Sequence, residues 1–282
     1  MSRLRAAIRA TRPAHALKNA PILAGLVFGH RTADGAAVRA VAFTFAAFWL
    51  VASAGYLIND VVDREVDAGH PTRGSRPIAS GALSVRAALS LAVGLALVAV
   101  GLGLLVPPYA AACVAAYGAL TLAYTFVLRR VPLAGVLAVA GGFVLRAASG
   151  ALAAGVVPSP WLLGLVGVLA AGFAVAKREN DARRRGAASR ALVRTTDALL
   201  AATAMGYVAW GLVPDTVRLH GTRGLPWTAI PVVAALARFR ARLRASRDGS
   251  GPAELVAGDP WLVGLALVWA ASVAVVLHAA GR

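Results

Sequence analysis

The chain has 282 residues, 29 of them Lys or Arg against 12 Asp or Glu, for a formal net charge of +17. Yet only 15% of residues are charged, 59% are hydrophobic, and the mean hydropathy is +0.71. Disorder is excluded, because it needs many charges and few apolar residues; a soluble nucleic-acid binder is excluded by the apolar excess; an integral membrane protein with basic loops satisfies both numbers.

Residues 1–11 are basic and show no small-residue cleavage site after a short apolar core, so no cleavable signal is expected there. A helix of about 20 apolar residues crosses the hydrocarbon core. By that ruler nine stretches qualify: 14–30, 37–58, 85–106, 108–128, 132–155, 159–177, 196–213, 224–239 and 260–279. Pro107-Pro108, Pro158-Ser159-Pro160 and Gly249-Ser250-Gly251-Pro252 punctuate them. The first stretch is polar for a membrane helix, with His15, Lys18 and Asn19. The eighth is short and carries Pro226 and Pro231. The remaining loops leave no room for a soluble domain, so one all-α integral membrane domain over residues 1–282, a bundle of nine transmembrane helices, is expected. Cys113 sits in an apolar run and reads as packing. A lone cysteine allows neither an intrachain disulfide nor a cysteine-based zinc site.

Charge orients the bundle. With nine spans, 22 of the 29 basic residues fall on one side and five (Arg31, Arg39, Arg218, Arg223, Arg282) on the other. Lys18 and Arg146 lie within spans. The positive-inside rule then puts the N-terminus in the cytoplasm and the C-terminus outside, in a multi-pass protein of the cell (inner) membrane. Nearly all the basic residues are arginine, as a GC-rich genome favours. Loop arginines such as Arg183, Arg184, Arg185 and the run Arg238, Arg240, Arg242, Arg244 are therefore assigned mainly to anionic membrane lipid.

Four of the 12 acids gather within eight positions: Asp60, Asp63, Glu65 and Asp67. The segment continues the second span without a breaker until Gly69-His70-Pro71. On a helix, Asn59, Asp60, Asp63 and Asp67 share one face through i+3 and i+4 spacings. Val61, Val62 and Val66 lie on the other. Three carboxylates on one face repel unless a cation sits among them, and hard oxygen donors favour Mg²⁺ bridging to a phosphate. A solvated polar helix end is the plainer alternative, and the valines across the helix speak against it. Just beyond, Arg73 and Arg76 are placed to hold phosphate oxygens. An arginine in mid-span is costly and marks a functional site by default, which singles out Arg146 for phosphate binding. Its alternative is a buried ion pair with Asp197 or with an aspartate of the first cluster. Lys18 and Asn19 can reach an anionic substrate from the first span, or Lys18 can snorkel to the surface. Lys177, Arg178 and Asp181 end the sixth span on the same membrane side.

Asn59-Asp60-x-x-Asp63-x-x-x-Asp67, followed by Arg76-Pro77-Ile78-Ala79-x-Gly81, resembles the first aspartate motif of the UbiA-type intramembrane prenyltransferase superfamily. Within it, the likeness is to the branch that joins a polyprenyl phosphate to 5-phosphoribose 1-diphosphate, the decaprenyl-phosphate phosphoribosyltransferases. It extends over Arg12-Pro13 with Lys18-Asn19, His70-Pro71-Thr72, Phe143-Val144-Leu145-Arg146-Ala147-x-x-Gly150-Ala151, Lys177-Arg178, and Pro252-Ala253-Glu254 leading to Asp259. The branch has a Tyr then a Lys after the fourth helix; here Tyr124 is followed by Arg129. The acid after Lys-Arg is Asp181, with an extra Glu179.

The resemblance implies a nine-helix bundle with a cytoplasmic-side polar cavity. It implies Mg²⁺ on Asn59, Asp60, Asp63 and Asp67, with the three aspartates catalytic. Substrate contacts are expected from Lys18, Asn19, Asn59, Arg73, Arg76, Tyr124, Arg146, Lys177, Arg178 and Asp181. The expected reaction is phosphoribosyl transfer to a decaprenyl-like phosphate. The alternatives are prenyl transfer from a prenyl diphosphate to an aromatic or other acceptor, and terpene cyclisation. A transporter is the non-enzymatic alternative; an inverted repeat is not evident, and the aspartates sit at a helix end rather than at the midplane. Expected partners are a polyprenyl phosphate or prenyl diphosphate lipid, phosphoribosyl diphosphate and anionic lipids, with room for a homo-oligomer and no nucleic acid.

Overall fold

The computed structural model describes residues 2–70, 73–187, 189–246 and 251–280. Pro71 and Thr72 of the basic loop, Arg247 of the basic run and Arg282 lie outside the described residues. Among those described, every regular element is helical. The chain divides into two compact units, Met1–Pro158 and Ser159–Arg282.

The first unit opens with a short amphipathic helix, α1 (Arg3–Ala10), capped by Ser2. A run of 3₁₀ turns, Pro13–Leu23, leads into α2 (Ala24–Phe28). Next comes the long α3 (Gly35–Val62), whose first amides are capped by the Asp34 carboxylate at 2.9 and 3.1 Å. The short α4 (Arg64–Ala68) follows after a turn at Asp63. Then come α5 (Val85–Gly103), α6 (Pro108–Phe126) and α7 (Pro132–Ala153). Proline opens both α6 and α7, where its missing N–H costs nothing. Small residues face inward on α5 (Ala88, Ala92, Ala99), while Val93, Leu97 and Val100 point out. That arrangement suits lipid, where helices associate through close packing rather than through hydrophobic exclusion.

The second unit contains α8 (Pro160–Arg184), α9 (Arg190–Leu212), α10 (Pro214–His220), α11 (Ala229–Ala245), α12 (Pro252–Ala257) and α13 (Pro260–Ala280). Its core joins Ala176, Leu200, Phe239, Leu243, Leu255 and Leu262.

Six helices among the described residues are long and apolar enough to cross a membrane: α3, α5, α6, α7, α8 and α13. The pair α9 and α10, bent by 64°, makes a seventh if it is one span. Among the described residues this criterion does not confirm the expected nine. Stretch 14–30 is broken: Pro21 lies within the 3₁₀ run and only five residues of α-helix follow. Stretch 224–239 starts as a 3₁₀ turn, and its helix has 17 residues with four arginines in its second half. At about 1.5 Å per residue that is about 26 Å, short of a hydrocarbon core of about 30 Å.

The 3₁₀ run is shaped by packing. A Cβ placed on Gly150 of α7 would lie 1.9 Å from the Ile22 carbonyl oxygen, and one on Gly25 would lie 2.5 Å from the Ala151 Cα. Backbone therefore rests directly on backbone where α7 crosses the N-terminal segment, a contact only glycine permits.

Candidate functional site

The aspartate segment is folded with its polarity turned inward. Asp60 is 3% exposed and Asp67 1%, while Val62 and Val66 face outward. The expected single helix through Asp67 is interrupted at Asp63 (φ −90°, ψ 4°), although Asp63 N–H still donates to the Asn59 carbonyl and Asp67 N–H to that of Asp63. The shared face thus survives the break.

Arginines close the carboxylates. Arg12 donates to Asp60 Oδ1 at 2.6 Å, and Arg76 reaches the same oxygen at 3.1 Å and Asp67 Oδ2 at 2.6 Å. Arg129 donates to Asp63 Oδ2 at 2.7 Å and to Asn59 Oδ1 at 3.2 Å. Asn59 Nδ2 in turn donates to Asp63 at 3.1 Å. The bond to Asp63 raises the Arg129 pKa above its ordinary value. Arg73 stands 3.7 Å from Asp67 Oδ1, a buried oxygen with no hydrogen bond. Buried carboxylates need such partners, because an unpaired charge away from water is very costly.

Magnesium's preference for hard oxygen donors matches this set of three carboxylates and an amide, and the unbonded Asp67 Oδ1 leaves one donor ready. Guanidinium groups balance the charge of these carboxylates. No three acids, histidines or cysteines among the described residues converge on a common point.

Further into the unit, Lys18 Nζ lies 3.4 Å from His15 Nδ1 and 5.6 Å over the Tyr56 ring. Burial, then the Lys18 and Arg12 charges, push the His15 imidazole down to about 4, so it is neutral at pH 7. Unfolded, it takes its proton near pH 6.5. A folded pKa below the unfolded one means stability is lost as pH falls from about 6.5 to 4. Thermal melts should show that loss in the wild type and a flatter limb in His15→Gln.

Arg146 is buried at 4% exposure and has no carboxylate partner among the described residues. It donates instead to Asn19 Oδ1 (2.7 Å), the Gly142 carbonyl (2.9 Å) and Tyr117 Oη (2.8 Å), and its guanidinium lies 4.2 Å from the Tyr117 ring centroid. The ion pair considered with an aspartate of the first cluster does not form among the described residues. Asn19 is thereby engaged in holding Arg146. Tyr124 is half-buried on α6, close to the turn that carries Arg129.

In the second unit, Lys177 is exposed and Arg178 and Asp181 are half-buried on α8; no hydrogen bond or ion pair is formed by these three among the described residues. The buried acid of α8 is Glu179, fully enclosed, which accepts from Arg240 (2.8 Å to each oxygen) and from Arg183 (2.5 Å). Arg240 and Arg244 also hold Asp197, while Arg238 and Arg242 hold Asp259. The basic run assigned to lipid is thus taken up by acids on two sides of α11, i and i+4 together. Period-two alternation in the sequence hid this helical pairing. Removing one partner of a buried ion pair strands the other. Arg240→Met should therefore cost about 3 kcal/mol in unfolding, with Glu179→Gln in that background recovering part of the loss.

Comparison with known proteins agrees with this architecture. The chain is 35% identical to a decaprenyl-phosphate phosphoribosyltransferase from Corynebacterium glutamicum, covering 93% of this chain and 83% of the relative. It is 32% identical to the Mycobacterium tuberculosis protein of the same name, over 94% and 92%. Its fold is similar to that of a UbiA homologue from Archaeoglobus fulgidus solved with GPP and Mg²⁺, with a TM-score of 0.73, 17% identity, and coverage of 98% and 99%. The sequence profile of the UbiA prenyltransferase family matches residues 19–257, from the buried Asn19 to α12, and the chain belongs to that family of membrane transferases.

Proposed function

We propose that this protein transfers a 5-phosphoribosyl group from phosphoribosyl diphosphate to a polyprenyl phosphate of the decaprenyl type, at the cytoplasmic face of the cell membrane. The observation that carries the reading is the inward-facing Asp60–Asp63–Asp67 strip ringed by Arg12, Arg73, Arg76 and Arg129. End-to-end likeness to proteins named for that reaction supports it.

In the reaction, the bond from ribose C1 to the diphosphate oxygen breaks and a polyprenyl phosphate oxygen bonds to C1. Diphosphate carries away the electron pair. The acceptor oxygen is already anionic, so no strong base is needed. Asn59, Asp60, Asp63 and Asp67 would hold Mg²⁺, which neutralises the leaving group when bound. Arg76 and Arg73 orient phosphate oxygens through charge-assisted hydrogen bonds. Lys18 adds positive charge near the negative charge that develops on the leaving group. Arg146, with Asn19, Tyr117 and Gly142, keeps the N-terminal segment seated on α7 so that Arg12 meets Asp60.

Purified protein with Mg²⁺, given labelled phosphoribosyl diphosphate and polyprenyl phosphate, should release diphosphate and label the lipid. Diphosphate release from a prenyl diphosphate alone would overturn the assignment and favour prenyl transfer.

A further inference from the structure

Every aspartate of the strip is already neutralised by the chain itself. Arg12, Arg76 and Arg129 stand against Asp60, Asp67 and Asp63, with Arg12 and Arg76 sharing one oxygen of Asp60. Arg12 is held for this task at a cost. Its φ of 51° is left-handed, unusual for a residue with a Cβ, and Pro13 follows it. Such strain persists only where surrounding contacts impose it. Here Ser53 Oγ donates to the Thr11 carbonyl at 3.1 Å, and the Arg12 guanidinium lies 4.9 Å from the Tyr56 ring centroid.

We propose that these arginines make the site accept a divalent cation only together with a diphosphate, and that Arg12 is the positioning residue that enforces the order. The inference rests on the metal–diphosphate reading above. A bare cation must push guanidinium groups off Asp60 and Asp63, stranding positive charge beside its own in a half-buried site. A diphosphate brings more negative charge than the cation brings positive. It also offers each displaced guanidinium a new charge-assisted acceptor. Cation and diphosphate therefore bind cooperatively, and the empty enzyme resists cation alone.

The test is Mn²⁺ binding to the full-length protein in lipid nanodiscs, followed by electron paramagnetic resonance, with and without inorganic diphosphate. Diphosphate should tighten Mn²⁺ binding to the wild type by at least about tenfold, and Mn²⁺ should tighten diphosphate binding equally. In Arg12→Met, affinity for Mn²⁺ alone should rise about tenfold as Asp60 loses a competitor, and the help from diphosphate should shrink. Arg12→Lys should behave nearly as wild type. A residue that only stabilised the fold would not raise metal affinity when removed.

Equal Mn²⁺ affinity with and without diphosphate in the wild type overturns the inference, and that measurement needs no variant to fold. Unchanged or weaker Mn²⁺ binding in a folded Arg12→Met does so too. An Asp60→Asn, Asp63→Asn protein separates the two layers. If it loses Mn²⁺ binding while wild-type coupling is absent, only the ordered loading fails. If it keeps Mn²⁺–diphosphate binding intact, the metal–diphosphate reading itself fails.

Discussion

Asp60→Ala should lower turnover by about 10²–10³-fold, the range for removing one group preorganised around developing charge. The reason lies in the position of Asp60, 3% exposed and bound by both Arg12 and Arg76 on one oxygen. Its loss removes a cation donor and also releases two guanidinium groups toward each other. Diphosphate release from phosphoribosyl diphosphate, measured beside a thermal melt, separates the two effects. Asp60→Asn should retain the packing and still lose most of the activity, because an amide supplies no charge. Full activity in Asp60→Ala and Asp63→Ala would sink the metal–diphosphate mechanism altogether.

Gly150→Val should leave no stably folded first unit. The added Cβ would stand 1.9 Å from the Ile22 carbonyl oxygen and 2.6 Å from its Cα, and these are backbone atoms that cannot swing aside. Overpacking by single methylenes costs about 1–3 kcal/mol. A branched side chain against main chain belongs with the exceptional losses above about 4–5 kcal/mol. The Asn19–Arg146 bond would open with it. Expression in membranes, detergent extraction and size-exclusion behaviour give the readout: aggregation or degradation is expected for Gly150→Val, and a milder defect for Gly141→Val, whose Cβ would meet only the Leu120 side chain at 3.6 Å. A monodisperse Gly150→Val protein with wild-type melting would show that α7 and the N-terminal segment can separate freely.

Helices were legible in the sequence wherever length and apolarity alone decide. The spans of α3, α5 to α8 and α13 follow from uninterrupted runs bounded by Pro, Gly or Ser. The 3₁₀ form of the N-terminal stretch was not legible, because hydropathy counts residues and is blind to what they pack on. Its 3₁₀ form follows from Pro21 and from a glycine 125 or more residues downstream, which no local pattern reveals. The aspartate strip was legible because acids are scarce enough for a cluster to stand out. Its arginine partners were not. Among 29 basic residues, nearly all arginine, those that close carboxylates look no different from those that flank a membrane. Arg12 and Arg129 were missed as counter-ions for this reason. Arg238 to Arg244 were assigned mainly to lipid, and their i and i+4 pairing onto Asp197 and Asp259 along α11 was not foreseen.

The crossing of α7 over the N-terminal segment also constrains the order of biosynthesis. Asn19 and Arg146 are separated by 127 positions, so the segment that carries Arg12 and Lys18 leaves the ribosome long before its support exists. At about 5–20 residues per second, it waits several seconds or more for α7. Until α7 emerges, the segment lacks the Arg146 bond to Asn19 and the backbone contact with Gly150 that seat it. Completion of the arginine-ringed aspartate strip is then a late event in synthesis, and a nascent chain stalled before Pro132 should contain the aspartates but not the seated N-terminal segment.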